Sequence, residues 1–340
     1  MEDSELVETS AIPSYKAVCA KLGLIMCVYY ISRILNGIVV VLISGLSDKL
    51  NHSISYLLMA GIAVLFNYIL PITVTMIAFR GFERYKGKLR ELYKKPKRLA
   101  RAFGTFPAMY GLGYGIALLT LLVSFLISKV SGGQSLIEDL LRPTSLEPST
   151  DIVSLLAMVF IYVVVAPIFE EFLVRGIMYD ALKPYGCGMA IIISSILFGL
   201  MHGRLNMLFY ATALGFALCY IRYATGSIFV TTVLHAIVNS LAAGMLVVLT
   251  LSDMYNQGNK LINTIYSIYI LALFILIIIG IFAFFKKIPV IRKYKIDNPW
   301  TEIGAGKKTA LFLLSIPVLI MLVFAFNEHA NNLLLNLIIS

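Results

Sequence analysis

Two glutamates stand side by side in an apolar stretch: Glu170 and Glu171, within VVVAPIFEEFLVRGIMYDAL at residues 163–182. An ionisable group in hydrocarbon costs at least ~2.5–3.5 kcal/mol on insertion scales, so carboxylates placed there mark a functional site. Glu171 and Arg175 are four residues apart, the spacing of an ion pair on one helix face. Arg175 is expected to neutralise Glu171 and fix its orientation. Two histidines lie in other apolar runs, His202 in ILFGLMHG and His235 in TTVLHAIVNSL. Asn239 follows His235 by four residues and shares its helix face. The other two histidines, His52 and His329, fall near the ends of apolar runs and read as surface residues.

Hydrolysing a peptide bond inside a membrane needs an activated water, a proton donor and a stabiliser for the oxyanion. A desolvated carboxylate suits the general base. One histidine can share that work, while the other, with an asparagine amide, can hydrogen-bond the oxyanion. Glu170, His202 and His235 equally match a catalytic zinc set with one open position. HExxH, the usual helix-borne zinc motif, is absent. Residue types alone leave open whether Glu170 faces a free water or a metal-bound one.

The elements that must position these groups are membrane spans. The chain has 340 residues, 59% hydrophobic and only 14% charged, against about 25% charged in soluble domains. Such a composition predicts an all-α, polytopic transmembrane bundle of about eight to nine spans, forming one membrane domain over 1–340. Apolar runs lie near 17–46, 54–79, 104–130, 152–183, 187–203, 205–224, 227–250, 262–285 and 309–327, the fifth being short. Residues 152–250 carry the chemistry. A helix rises about 1.5 Å per residue. Counted from the cytoplasmic ends of their runs, Glu170, His202 and Asn239 then sit roughly 20, 21 and 18 Å deep, and His235 roughly 12 Å. Carboxylate, imidazoles and amide from three helices are expected to share one site. Pro167 should kink the fourth span and free backbone carbonyls near it. Arg33 cannot be left out of the first span without shortening it below crossing length. It should face the interior, paired with Glu170, Glu171 or a substrate carboxylate.

Net charge is +10. In a membrane protein this excess belongs to cytoplasmic loops rather than to nucleic-acid binding. The loops 80–101 and 286–308 are strongly basic, whereas 131–151 carries one arginine against four acids. This pattern predicts a cytoplasmic N-terminus and an outward 131–151 loop. Within 80–103, Phe82, Tyr85, Leu89 and Leu92 recur at helical spacing, consistent with an interfacial helix or a solvated basic loop. Cys19, Cys27, Cys187 and Cys219 lie in or beside apolar runs and form no CxxC pair, so they should be free and buried. The N-terminus is acidic and lacks the basic region of a cleavable signal, so the first span should be retained.

Three motifs follow one another on successive runs: EExxxR at Glu170–Arg175, FxxxH at Phe198–His202 and HxxxN at His235–Asn239. In these motifs the chain resembles the CAAX protease and bacteriocin-processing (CPBP) family of intramembrane proteases, also called the Abi or type II CAAX prenyl protease family. The resemblance covers about residues 152–250. It implies a helical membrane fold with a buried site opening to the cytoplasm. Glu170 and His202 would activate water, His235 and Asn239 would form the oxyanion hole, and Glu171 and Arg175 would support them. It further implies a membrane-associated, CAAX-like peptide substrate and a multi-pass location, expected here to be a bacterial cell membrane. Members are named metalloproteases, which keeps a divalent zinc on Glu170, His202 and His235 in view.

Two other functions fit the same residues. A non-proteolytic scaffold for bacteriocin self-immunity or surface-protein display would keep the fold without turnover. A proton-coupled transporter would use the carboxylate and histidines as a relay. The paired halves frequent in transporters are not visible in the chain.

Overall fold

Apolar runs in lipid have no water to satisfy their amides, so the backbone must close its own hydrogen bonds as helix. The computed structural model describes residues 2–47, 50–78, 93, 96, 99–131, 151–203, 205–254, 260–293 and 304–326. Among them every regular element is helical. These are α1 (Glu2–Ser47), α2 (His52–Val64), α3 (Leu70–Ala78), α4 (Leu99–Phe103), α5 (Phe106–Ser131), α6 (Ile152–Phe160) and α7 (Ala166–Glu171). There follow α8 (Tyr179–Leu182), α9 (Cys187–Leu200), α10 (Leu205–Thr225), α11 (Ile228–Met254), α12 (Lys260–Lys293) and α13 (Ala305–Leu313). A final helix, α14, covers Ile316–Phe326.

Seven helical segments are long and apolar enough to cross a membrane: Tyr15–Ile43, His52–Ile77, Phe106–Val123, Ile152–Tyr185, Met207–Thr225, Ile228–Leu251 and Lys260–Lys287. Two of the nine expected runs differ. The fifth forms α9, only 14 residues long, which at 1.5 Å per residue reaches about 21 Å. The ninth is broken between α13 and α14, which meet at 70°. Pro317 lies in the first turn after that break, where a missing N–H costs nothing. Most of the expected 80–103 loop, the whole interior of the 131–151 loop and His329 lie outside the described residues. Of the first, only Tyr93, Pro96 and the short helix α4 are described.

Helix ends follow ordinary capping chemistry. Asp151 accepts from the backbone N–H of Ser154 at 3.0 Å and from its hydroxyl at 2.7 Å, opening the fourth span. Those two bonds favour the charged form and hold the Asp151 carboxyl below its usual range. Gly226, at φ +70°, turns the chain between α10 and α11 in a left-handed conformation that suits glycine.

Close packing relies on small residues. A Cβ on Gly111 of α5 would collide with the backbone of Gly280 of α12. A Cβ on Gly199 of α9 would strike Thr212 of α10, and one on Gly215 would lie 3.0 Å from Phe198. Between helices in lipid such contacts replace the hydrophobic driving force available in water. All four cysteines are free and buried, as expected.

One end of the bundle is stitched across the chain. Tyr15 Oη donates to the Lys308 carbonyl at 3.2 Å, and Lys308 Nζ donates to the Tyr185 carbonyl at 2.8 Å. Arg222 pairs with Asp180 at 3.2 Å on the same side. The start of the first span, the end of the fourth and the end of α10 therefore share one face.

Candidate active site

Glu170 and Glu171 end α7, within a span that is not uniformly α-helical. It contains a π turn at Ile161–Val165 before them and a longer π segment at Phe172–Met178 after them. The second span carries a third π turn, Leu65–Ile69. π turns are rare and concentrate at functional sites. All three border the glutamates.

The two carboxylates are separated by burial. Glu171 and Arg175 have side chains 0% exposed, whereas the Glu170 side chain is 16% exposed. Arg175 Nη1 donates to Glu171 Oε1 at 2.8 Å, and Nη2 donates to the Gly215 carbonyl at 3.1 Å. Its guanidinium lies 4.4 Å above the centre of the Phe198 ring. The expected ion pair is therefore present and shut away from solvent.

His235 reaches both glutamates. Its Nδ1 is 3.0 Å from Glu171 Oε1 and its Nε2 is 3.8 Å from Glu170 Oε2. An ionised Glu171 only accepts, so Nδ1 carries the proton and Nε2 is turned towards Glu170. The second distance is too long for a hydrogen bond. Phe198 stands edge-on to both imidazoles, with centroids 4.9 Å from His202 and 5.6 Å from His235. The phenylalanine of FxxxH thus spaces the two histidines while its face carries Arg175.

His202 is not bonded to Glu170. Its Nδ1 lies 2.8 Å from the Phe198 carbonyl. A carbonyl only accepts, so Nδ1 is protonated and Nε2 is left as an acceptor. Asn239 is also engaged with backbone: its Nδ2 donates to the Tyr162 carbonyl at 2.8 Å.

That carbonyl is open for a reason the chain dictates. In the π turn the Ala166 N–H bonds to the Ile161 carbonyl. The next carbonyl, Tyr162, would look five residues on for its donor and meets Pro167, which has none. Asn239 fills the vacancy and pins α11 to the fourth span. The freed carbonyl expected from Pro167 is therefore real, and it is taken by a motif residue.

Arg33 has hydrogen-bond partners that the sequence did not suggest, while its charge also acts on the Glu170 carboxylate. Arg33 Nη1 donates to the Met201 carbonyl at 3.2 Å and to Tyr29 Oη at 3.3 Å. Tyr29 and Tyr30 donate to the Met201 and Leu200 carbonyls at 3.1 and 3.0 Å. These carbonyls close the end of α9, the Leu200 carbonyl also accepting from the Gly203 N–H, and a cation there complements the helix dipole. The first span thus caps the half-length helix whose end bears His202.

Glu170 opens onto a small cleft of about 10 Å³ walled by Asn67, Tyr68, Ile72, Phe169, Leu173 and Met201. The surface accessible in that cleft is apolar. Tyr68 stacks near Phe169, centroids 5.8 Å apart. Asn67 and Tyr68 were not singled out from the sequence, although an Asn within FNYILP of an apolar span is a visible anomaly.

Glu170, His202 and His235 were the expected zinc ligands. Among the described residues no group of three or more His, Cys, Asp or Glu side chains is arranged to hold an ion. Nδ1 of His235 is held by Glu171 and Nδ1 of His202 by backbone, which leaves Nε2 of each as the nitrogen a metal could use. As placed, the donor set expected for zinc does not converge.

A multi-pass helical membrane protein with a buried carboxylate–imidazole–guanidinium site is the class that fold and geometry define. Residues 152–241 match the family described as type II CAAX prenyl endopeptidase Rce1-like. The match supports the CAAX protease and bacteriocin-processing assignment and, at family level, a CAAX-type intramembrane endopeptidase. No curated protein and no solved structure matches the chain.

Proposed function

We propose that the protein is an intramembrane endopeptidase that hydrolyses membrane-associated, CAAX-like peptides, with Glu170 as general base. The observation carrying this reading is that Glu170, alone of the two glutamates, keeps a partly exposed side chain that the hydrolytic water can approach. Glu170 takes a proton from that water as its oxygen bonds to the scissile carbonyl carbon. His202, with Nε2 as acceptor, shares this proton. The oxyanion accepts from the Asn239 amide hydrogen not used by Tyr162, and from His235 Nε2 when that nitrogen is protonated. Collapse breaks the C–N bond, and the proton passes to the leaving nitrogen. Glu171 and Arg175 hold His235 in place.

A cytoplasmic N-terminus follows from the basic loops, and the face shared by Tyr15, Tyr185 and Lys308 is consistent with it. The purified protein in detergent, given an internally quenched farnesylated CAAX-like peptide, tests the function. Glu170→Gln should abolish cleavage, a loss of at least ~10²-fold. Full activity in that variant would refute the mechanism. A cellular phenotype that survives Glu170→Gln would instead favour the scaffold.

A further inference from the structure

Arg33 stands well inside the span Tyr15–Ile43 and is half-buried. A cation at that depth is costly and marks a functional position. Its Nη1 donates to two neutral groups, the Met201 carbonyl at 3.2 Å and Tyr29 Oη at 3.3 Å. Met201 precedes His202 and packs beside Glu170. Arg33 and Glu170 therefore flank one residue, and the Arg33 charge acts on Glu170, on His202 and on Tyr68 of the second span. The other cation in the site, Arg175, is 0% exposed and committed to Glu171 and the Gly215 carbonyl. Arg222 and Lys308 lie at one end of the bundle, with Asp180 and the Tyr185 carbonyl. Among the described residues Arg33 is thus the cation near Glu170 that is not sealed from an incoming group.

A CAAX-like substrate brings an anion with it. The signal is C-terminal, with three residues after its cysteine, so the chain ends there in a carboxylate. An extended residue spans at most ~3.6 Å, so any bond cut within the signal lies within about 10 Å of that carboxylate. Burying the carboxylate without a partner would be costly.

We propose that Arg33 is a specificity residue that binds the substrate's C-terminal carboxylate beside Met201 and so sets the scissile bond against Glu170. This rests on the endopeptidase reading. A guanidinium matches a carboxylate in shape as well as charge. Tyr29 and the Met201 carbonyl hold the guanidinium in place, so it is ready before the peptide arrives. A chain end is thereby told from an internal segment, which carries no such anion.

The quenched farnesylated peptide, as free acid and as C-terminal amide, tests this on the purified protein. The parent should cleave the acid with kcat/KM about 10–100-fold above the amide, the worth of hydrogen bonds to a charged group. The difference should lie in KM, because the contact is remote from the reacting atoms. Arg33→Gln removes the charge but keeps an amide donor for the Met201 carbonyl, and it should bring the ratio close to one. Any loosening of α9 falls on both peptides and cancels in that ratio. Arg33→Lys, which keeps the charge without the fork, should retain part of the preference. A parent that does not tell acid from amide would overturn the proposal, and this comparison needs no variant. So would a ratio unchanged in Arg33→Gln, which would leave Arg33 as a clamp on α9. Binding of both peptides to Glu170→Gln, read by fluorescence anisotropy, separates the site from the chemistry. Tighter binding of the acid, lost on adding Arg33→Gln, would keep the carboxylate site even where the parent cleaves nothing. No preference there, with the parent active, would remove the site and keep the endopeptidase.

Discussion

Breaking the Glu171–Arg175 pair should be far more damaging than removing both charges together. Arg175→Met takes away a guanidinium that makes two hydrogen bonds and covers the Phe198 ring, while methionine keeps much of the packing. It leaves the Glu171 carboxylate 0% exposed with no cation other than whatever charge His235 carries. Removing one partner of a buried pair costs about 3–5 kcal/mol. In a chain of this size that corresponds to a fall in Tm of roughly 6–20 °C, at ~2–4 °C per kcal/mol. Glu171→Gln/Arg175→Met removes both charges. The glutamine carbonyl can still accept from His235 Nδ1, and only the Gly215 carbonyl loses a donor, at about 1–3 kcal/mol. The double variant should therefore be more stable than the single Arg175 variant by about 2 kcal/mol, the difference between the middles of those two ranges.

The assay is thermal unfolding in one detergent for the parent, both single variants and the double variant, with cleavage measured on each. Arg175→Lys should fall between, since an ammonium cannot serve Glu171 and Gly215 in the fixed fork of a guanidinium. A double variant no more stable than Arg175→Met would refute the reasoning. It would mean that the arginine acts by filling space over Phe198 and not by neutralising Glu171.

Asn239→Ala should lower Tm and kcat together, costing about 1–3 kcal/mol for the stranded Tyr162 carbonyl; a pure oxyanion role would lower kcat alone. Adding Pro167→Ala returns an N–H that the π turn can offer to Tyr162, so the double variant should regain part of the lost Tm. Gly111→Val should separate α5 from α12 and destabilise by more than 1–3 kcal/mol, the usual cost of overpacking, because the clash is with backbone. Asp151→Ala should lose its cap at neutral pH, but the gap from the parent should close as pH falls. The reason is that a depressed carboxyl contributes above its unfolded pKa and loses that contribution as it protonates. Elemental analysis of the active, purified protein checks the donor geometry. Stoichiometric zinc lost together with activity on chelation would show that His202 and His235 rearrange to bind it.

Elements and pairs that depend on local pattern were legible in the sequence. Apolar length found the seven long spans and the shortness of α9. The four-residue spacing of Glu171 and Arg175 sufficed to pair them, because a helix face brings such residues together whatever surrounds it. Matched depth joined His235 to the glutamates. What failed to show was backbone acting as a partner. Arg33 invited a search for carboxylates, and its charge does act on Glu170, but it also serves a carbonyl at the end of α9, whose position depends on how two helices cross. The Tyr162 carbonyl is vacant only because a π turn and Pro167 coincide, and hydrogen-bond register within a helix leaves little trace in residue types. The break in the last span, which was expected to run unbroken over 309–327, was likewise missed.

Neighbouring residues on a helix point about 100° apart, so adjacent glutamates cannot occupy one environment. That angle is what divides their work. Glu171 is turned between Arg175 and α11, where two donors consume one of its oxygens. Glu170 is turned towards the second span, where the wall is an asparagine without a partner and a space of about 10 Å³. His235 is the only described side chain bridging the two, 3.0 Å from one and 3.8 Å from the other. A change at the closed carboxylate should therefore reach the open one through that imidazole. Glu171→Ala should impair turnover by releasing His235, even though Glu171 has no access to substrate. Restoring an acceptor with Glu171→Gln should recover activity that Glu171→Ala loses. Equal activity in the two would show that His235 is held by its packing against Phe198 alone.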